Sequence, residues 1–304
     1  MGMSEMKRCL AGGSAIALGV LLSGCGGGGG TASTPPPTYT KLADLTGNRT
    51  FQSAGIHWTF SPGQLSGLSV QKYGAGVTIA YNASSDSFTL TAPDGVTDTF
   101  SSATSTPPAG FVPPPDGVVL YNNAGGIFVV PKQPLVNGVA LSYTALGGWV
   151  HIQNNVPSVY AAVSGVPTIA SDMPRNGTAN YQTSIVGAVY TGQPNSYGLT
   201  SDSSATFSAN FGAGTVATTL HLVGAQNNLL PVDFGSYTGS GTIASGSPGF
   251  SGALASTVPN SIMPSGEFSG AFFGPQAKEM GYSWYLSGSA GSSLSAEGTV
   301  VGTK

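Results

Sequence analysis

The sequence predicts an all-β protein: an N-terminal β-rich domain followed by an eight-stranded antiparallel up-and-down β-barrel. Three observations carry that expectation. Hydrophobic residues form 40% of the 304, enough for a sizeable core, and they alternate in period two through most of the chain. Gly (46) and Pro (21) interrupt those stretches at short intervals, as turn formers do between short strands. No segment shows the three-and-four spacing of an amphipathic helix.

The N-terminus is read first as a targeting segment. Lys7 and Arg8 precede an apolar run from Leu10 to Leu22, and small residues lead to Cys25. A basic start and an apolar run too short to span a bilayer stably are the layout of a bacterial export signal, assigned to residues 1–24. The ending Leu22-Ser23-Gly24-Cys25 resembles the lipobox of bacterial lipoproteins, in which the Cys becomes the first mature residue and carries acyl chains. Cys9 falls inside the signal, so Cys25 is left without a disulfide partner and is the expected lipidation site. Several acyl chains, at about 0.8 kcal/mol per buried methylene, anchor a protein durably. Gly26 follows the Cys where an Asp would signal inner-membrane retention, so the outer membrane is the expected location. Residues 25–40, Gly-rich and then Pro-rich, read as a tether that lifts a folded body off the membrane.

Charge excludes several functions. Only 7% of residues are charged. Without residues 1–24, Lys plus Arg falls from 9 to 7 and Asp plus Glu from 12 to 11, a net charge of −4. Nothing resembles a nucleic-acid-binding face.

Along the folded part, Val77, Ile79 and Tyr81 share one strand face, "NASSD" turns the chain, and Phe88 and Leu90 share the next. "APDG" (92–95) is a further turn, and "STPPAGFVPPPDG" (105–117) is a loop no strand can occupy. "GVVLYNN", "GGIFVVP", "VALSYTAL" and "GWVHIQN" read as four more strands. A boundary within "VPTIASDMPRNG" (166–177) gives domains 41–170 and 171–304. From 177 onward eight alternating segments are joined by short turns, and closing them into a barrel removes the exposed edges. Eight strands leave room for side chains or one small ligand. Phe207, Phe211, Phe268, Phe272, Tyr282 and Trp284 are expected to fill it.

Residues 265–286, "SGEFSGAFFGPQAKEMGYSWYL", hold Glu267, Lys278 and Glu279 among aromatics. An acid/base pair of the two Glu has no supporting surroundings, and Glu279 is read as a structural acceptor of turn amides or partner of a cation. "MPRNGTANYQ", "GAVY", "ANFGAGTVATTL" and "GEFSGAFFGPQAKEMGYSW" together resemble the C-terminal barrel of transferrin-binding protein B-like surface lipoproteins. The motif residues are Gly270, Phe272, Gly274, Ala277, Glu279 and Gly281, with Tyr282 where the family carries a second Gly. "VTIAYNASSDSFTLTAPDG" and "LSYTALGGWV" look like the handle that precedes the barrel, so the resemblance spans nearly all of residues 41–304. It implies a lipid-anchored, surface-exposed binding protein of a Gram-negative bacterium, capturing a host or environmental protein, or haem, in iron acquisition. A TonB-dependent receptor is its implied membrane partner. The chain carries one handle and one barrel where the transferrin binders carry two such lobes.

No catalytic residue is assigned and no enzyme is expected. Ser69 and Lys72 fit S-x-x-K without its companion motifs, and no Cys/His spacing suits a metal. His57 and His151, each near a Trp, are the candidate haem ligands, although a strand His beside a Trp is most often packing. His221, between Leu220 and Leu222, points outward. Candidate binding loops are Phe111–Asp116 and 224–231, with Leu229 and Leu230 in a polar setting. The alternative is a structural or adhesive envelope lipoprotein with no specific soluble ligand. No resident cofactor and a monomer are expected.

Overall fold

A computed structural model describes residues 37–61, 64–101, 118–131, 134–154, 156–192, 196–226, 230–259, 261–289 and 292–304. The expected signal, Cys25, most of the tether, Phe111–Asp116 and Leu229 lie outside the described residues. Helical structure among them is confined to three short 3-10 turns, Leu42–Asp44, Ala170–Asp172 and Pro275–Ala277.

The first half forms strands β1 (Arg49–Phe51), β2 (Ala54–Ser61), β3 (Gln64–Gln71), β4 (Thr78–Asn82), β5 (Ser87–Thr91), β6 (Thr97–Ser101), β7 (Val118–Asn123), β8 (Gly126–Pro131), β9 (Leu135–Val136), β10 (Val139–Ala140), β11 (Thr144–Gln153) and β12 (Val156–Gly165). They make a four-stranded sheet, β1-β4-β5-β6, a six-stranded sheet, β3-β2-β12-β11-β8-β7, and the small β9–β10 hairpin. Turn chemistry sets the β4–β5 register: the Asn82 side chain accepts the Ser84 N–H at 3.0 Å. In the next turn the Gly95 N–H reaches Ala92 O at 2.9 Å, with Gly95 at φ +87°. The two larger sheets enclose Ile79, Leu90, Phe100, Tyr121, Phe128, Trp149 and Tyr160.

Here the sequence reading missed strands. "TAL" and "GWVHIQ" are one ten-residue strand, β11, and β2, β3 and β12 were not foreseen. The reason is burial on both faces. In β2, Ile56 and Trp58 are as buried as the core, and the intervening His57 packs on Tyr160. A strand covered on both sides loses the polar half of its alternation.

The second half forms β13 (Thr178–Tyr190), β14 (Ser196–Leu199), β15 (Ser204–Asn210), β16 (Thr215–Ala225), β17 (Val232–Ile243), β18 (Gly249–Ser256), β19 (Ser265–Phe273), β20 (Glu279–Ser287) and β21 (Ser295–Thr303). All eight expected segments are strands. They close as an antiparallel barrel, because β21 pairs back onto β13 from Gln182↔Thr303 to Tyr190↔Ser295. The additional strand β14 does not widen it. β14 and β15 occupy one stave in two pieces, both lying between β13 and β16.

The lumen is filled. All six rings expected there are buried: Phe207 lies 5.6 Å from Tyr282, Phe211 5.4 Å from Phe272 and Phe268 5.5 Å from Tyr282, and Phe250, which was not foreseen, joins them 4.9 Å from Phe272. The Tyr282 hydroxyl meets Thr218 Oγ1 at 2.6 Å, giving the buried phenol the partner it needs. Burial pushes that phenol well above its ordinary range, so it stays neutral.

The barrel has two unlike ends. At one, tight turns join β15 to β16, β17 to β18 and β19 to β20, and the six-stranded sheet of the handle leans on the outside of β19–β21. At the other lie the connections after β16, β18 and β20, of six to eight residues.

Candidate functional site

The charged segment is a clasp at the first end. Gly274 begins the turn at φ +70°, and a Cβ there would stand 2.4 Å from the Tyr143 ring, so the handle's approach requires glycine. Ala277 is fully buried, and its carbonyl accepts the Tyr181 hydroxyl at 2.6 Å. Glu279 follows with its carboxylate turned into the handle. Oε1 accepts the Ser142 N–H at 2.7 Å, and Oε2 accepts the Tyr143 and Thr144 N–H at 2.9 and 3.0 Å and the Thr144 hydroxyl at 3.0 Å. These donors surround the buried carboxylate, and among the described residues no cation is paired with it. Two residues on, a Cβ on Gly281 would meet Thr144 and Val163 at 3.2 Å, so the motif glycine lets the two sheets approach. Gly270 and Phe272 lie on β19, with Phe272 in the barrel core.

A second buried carboxylate, which the sequence did not signal, completes the clasp. Asp172 Oδ2 accepts the Tyr39 hydroxyl at 2.8 Å and the Gln276 N–H at 2.9 Å, and Oδ1 accepts the Gln276 side-chain amide. Burial alone would raise its pKa. The hydrogen bonds from Gln276 and Tyr39 outweigh burial and hold it below the ordinary carboxylate value. Tyr39 also accepts the Ile169 N–H at 2.9 Å, and the Leu42 N–H reaches Ser142 O at 2.8 Å. The N-terminal segment is therefore seated at the clasp.

Glu267 stands apart. Along the β19–β20 ladder, Phe273 pairs with Glu279 and Glu267 with Tyr285, six residues away. That separation is about 20 Å, too far for one acid/base site.

The far end of the barrel presents apolar side chains to solvent. Leu230 is 88% exposed, and Val232, which begins β17, and Val258 and Ile262, in the connection after β18, are exposed as well. Leu230 is one of the two leucines singled out in the candidate loop, Leu229 lying outside the described residues. The loops are held: the Thr257 N–H bonds Ser236 O at 3.0 Å, and the Ser289 N–H bonds Ile262 O at 3.1 Å. Near Gly235 (φ +91°) a bulge shifts the β16–β17 register. It sets Asp233 3.2 Å from His221 Nε2, with His221 outward and partly exposed as expected.

The two haem-ligand candidates lie on the handle's inner face. The His57 ring packs 4.6 Å from Tyr160, and burial lowers its pKa. His151 Nδ1 is 3.0 Å from Asp98 Oδ2, which also accepts the Trp149 indole N–H at 2.9 Å. The adjoining apolar space between Trp149, Tyr160, Phe128 and Ile79 leaves no volume for a water molecule.

Comparison with known proteins bears on the barrel. Residues 173–303 match the model of the C-lobe and N-lobe β-barrels of Tf-binding protein B. The barrel segment is of that type. No curated protein sequence matches the chain. Similar solved structures include transferrin-binding protein B of Haemophilus parasuis Hp5, 19% identical, covering 84% of this chain and 45% of that one at a TM-score of 0.47. The isotype 1 transferrin-binding protein B of serogroup B Neisseria meningitidis is 17% identical over 75% and 52%, at 0.41. The N-lobe of lactoferrin-binding protein B of Moraxella bovis is 13% identical over 62% and 81%, at 0.34. The chain thus spans about half the length of the Haemophilus and Neisseria chains.

Proposed function

We propose that the chain is a lipid-anchored binding protein of the outer membrane, displaying its barrel rim and neighbouring handle loops to capture a protein or haem-type ligand in iron acquisition. The match of residues 173–303 to Tf-binding protein B barrels carries this reading. The rim supports it, since exposed Leu230, Val232, Val258 and Ile262 lie at the end opposite the seated N-terminal segment. Anchoring rests on Cys25, and delivery to a TonB-dependent receptor follows from the family likeness. The filled lumen leaves recognition to the loops.

The test is a titration of the soluble chain against transferrin, lactoferrin, haemoglobin and haemin. Saturable binding of one of them supports capture. Absence of binding to all four leaves the structural or adhesive envelope role. A Soret band that sharpens with haemin and is lost in His57→Ala or His151→Ala would assign the haem ligand.

A further inference from the structure

The charges of this protein are sorted along the barrel axis. Seven Lys and Arg follow Cys25, and five of them (Lys41, Lys72, Arg175, Lys278 and Lys304) surround the clasp end. Lys41 adjoins Leu42, which is bonded to Ser142; Lys72 precedes Tyr73, packed 6.4 Å from Phe273; Arg175 leads into β13; Lys278 lies in the β19–β20 turn; and Lys304 follows β21. All five are exposed. Between Arg175 and Lys278 the sequence holds no Lys or Arg at all. The exposed carboxylates Asp202, Asp233 and Glu267 instead occupy the half of the barrel toward the apolar rim. At the clasp end, Asp172 and Glu279 are buried, and each side chain accepts N–H and O–H donors of the fold. Asp44 is the exposed carboxylate of the seated N-terminal segment.

The N-terminal segment enters the folded body amid these cations, through Tyr39. We propose that the clasp end rests on the phosphate-bearing headgroups of the membrane that carries the protein, which aims the apolar rim outward. A span from Cys25 to Tyr39 reaches at most about 50 Å, so the body stays near the surface. Screening confines the attraction to about 8 Å at physiological ionic strength, and the tether supplies the high local concentration that a weak patch needs. The inference rests on the anchored reading for the membrane and for the tether.

The test uses the chain from Gly26, which keeps every described residue, and its co-sedimentation with vesicles at low salt. Expected is partition onto vesicles rich in phosphatidylglycerol, absent with pure phosphatidylcholine and lost as salt is raised. Binding of a net-negative protein to a negative surface requires a local patch. Each neutralised cation should lower the partition about fivefold, so Lys72→Ala, Arg175→Ala and Lys278→Ala together abolish it at unchanged melting temperature. The Lys72→Arg, Lys278→Arg variant retains it. Asp233→Ala with Glu267→Ala, at the rim, leaves it within about twofold. Equal partition onto both vesicle types, no partition onto either, or a gain from the rim pair matching the loss from the clasp-end variant overturns the proposal. Ligand capture is measured separately and is untouched by that failure.

Discussion

Glu279 Oε2 accepts the Thr144 backbone N–H at 3.0 Å, so the residue that begins β20 in the barrel holds the residue that begins β11 in the handle. The contact joins positions 135 apart in sequence. It converts a carboxylate in a nearly uncharged chain into the joint between two sheets, and the other donors to the same carboxylate fix its orientation.

Glu279→Gln should loosen that joint. The amide NH2 must face either the Ser142 N–H or the Tyr143 and Thr144 donors, and leaves at least one buried donor without an acceptor. The expected cost is about 2–3 kcal/mol, read as a melting temperature lowered by several degrees. Unchanged melting would mean the carboxylate does not carry the joint.

Gly274→Ala attacks the same joint sterically. The new methyl would lie 2.4 Å from the Tyr143 ring, on a backbone at φ +70°. Both effects disfavour it, at about 1–3 kcal/mol together. Urea unfolding should show a lower midpoint, whereas Gly246→Ala, at φ +67° with open space around it, should lose only the smaller backbone part.

Legibility in the sequence followed burial. The barrel segments were readable because each strand keeps one face in the lumen and one outward: Phe207 and Ala209 are buried while Thr206 and Asn210 are exposed. β12 was not, because Tyr160 and Ala162 meet the handle core while Ala161 and Val163 meet the barrel side. The four residues of β14 are too short a stretch for periodicity to register. Glu279 stood out as a charge among aromatics, but its partners are backbone amides, which every residue carries. Tyr39 and Asp172 gave no sign of meeting, being 133 positions apart.

Leu230→Asp should separate binding from folding. At 88% exposure the side chain contributes little packing, so stability should stay within about 0.5 kcal/mol. If the rim is the contact surface, a charge in place of its most exposed apolar side chain should weaken ligand binding at least about tenfold. Calorimetric titration of the variant alongside a melting curve checks both halves. Unaltered affinity moves the contact to the handle loops.

Glu297 makes stability fall as pH rises. Its carboxyl sits on β21, where burial pushes its pKa from 4.5 up to about 7 against the opposing hydrogen bond from the Tyr190 hydroxyl, 3.2 Å away. Between those two values the folded chain holds a proton that the unfolded chain has released. The favourable contribution is therefore complete below about pH 4.5 and is lost as pH climbs through about 7. A Gln at this position never ionises and still accepts the Tyr190 hydroxyl. Glu297→Gln should match the parent protein near pH 4.5 and exceed it at pH 8, by about 1 kcal/mol once solvent screening of a partly exposed group is allowed for. Melting curves at the two pH values decide the matter: a gain at acid pH, or none at pH 8, would show that the carboxyl titrates as an ordinary surface group.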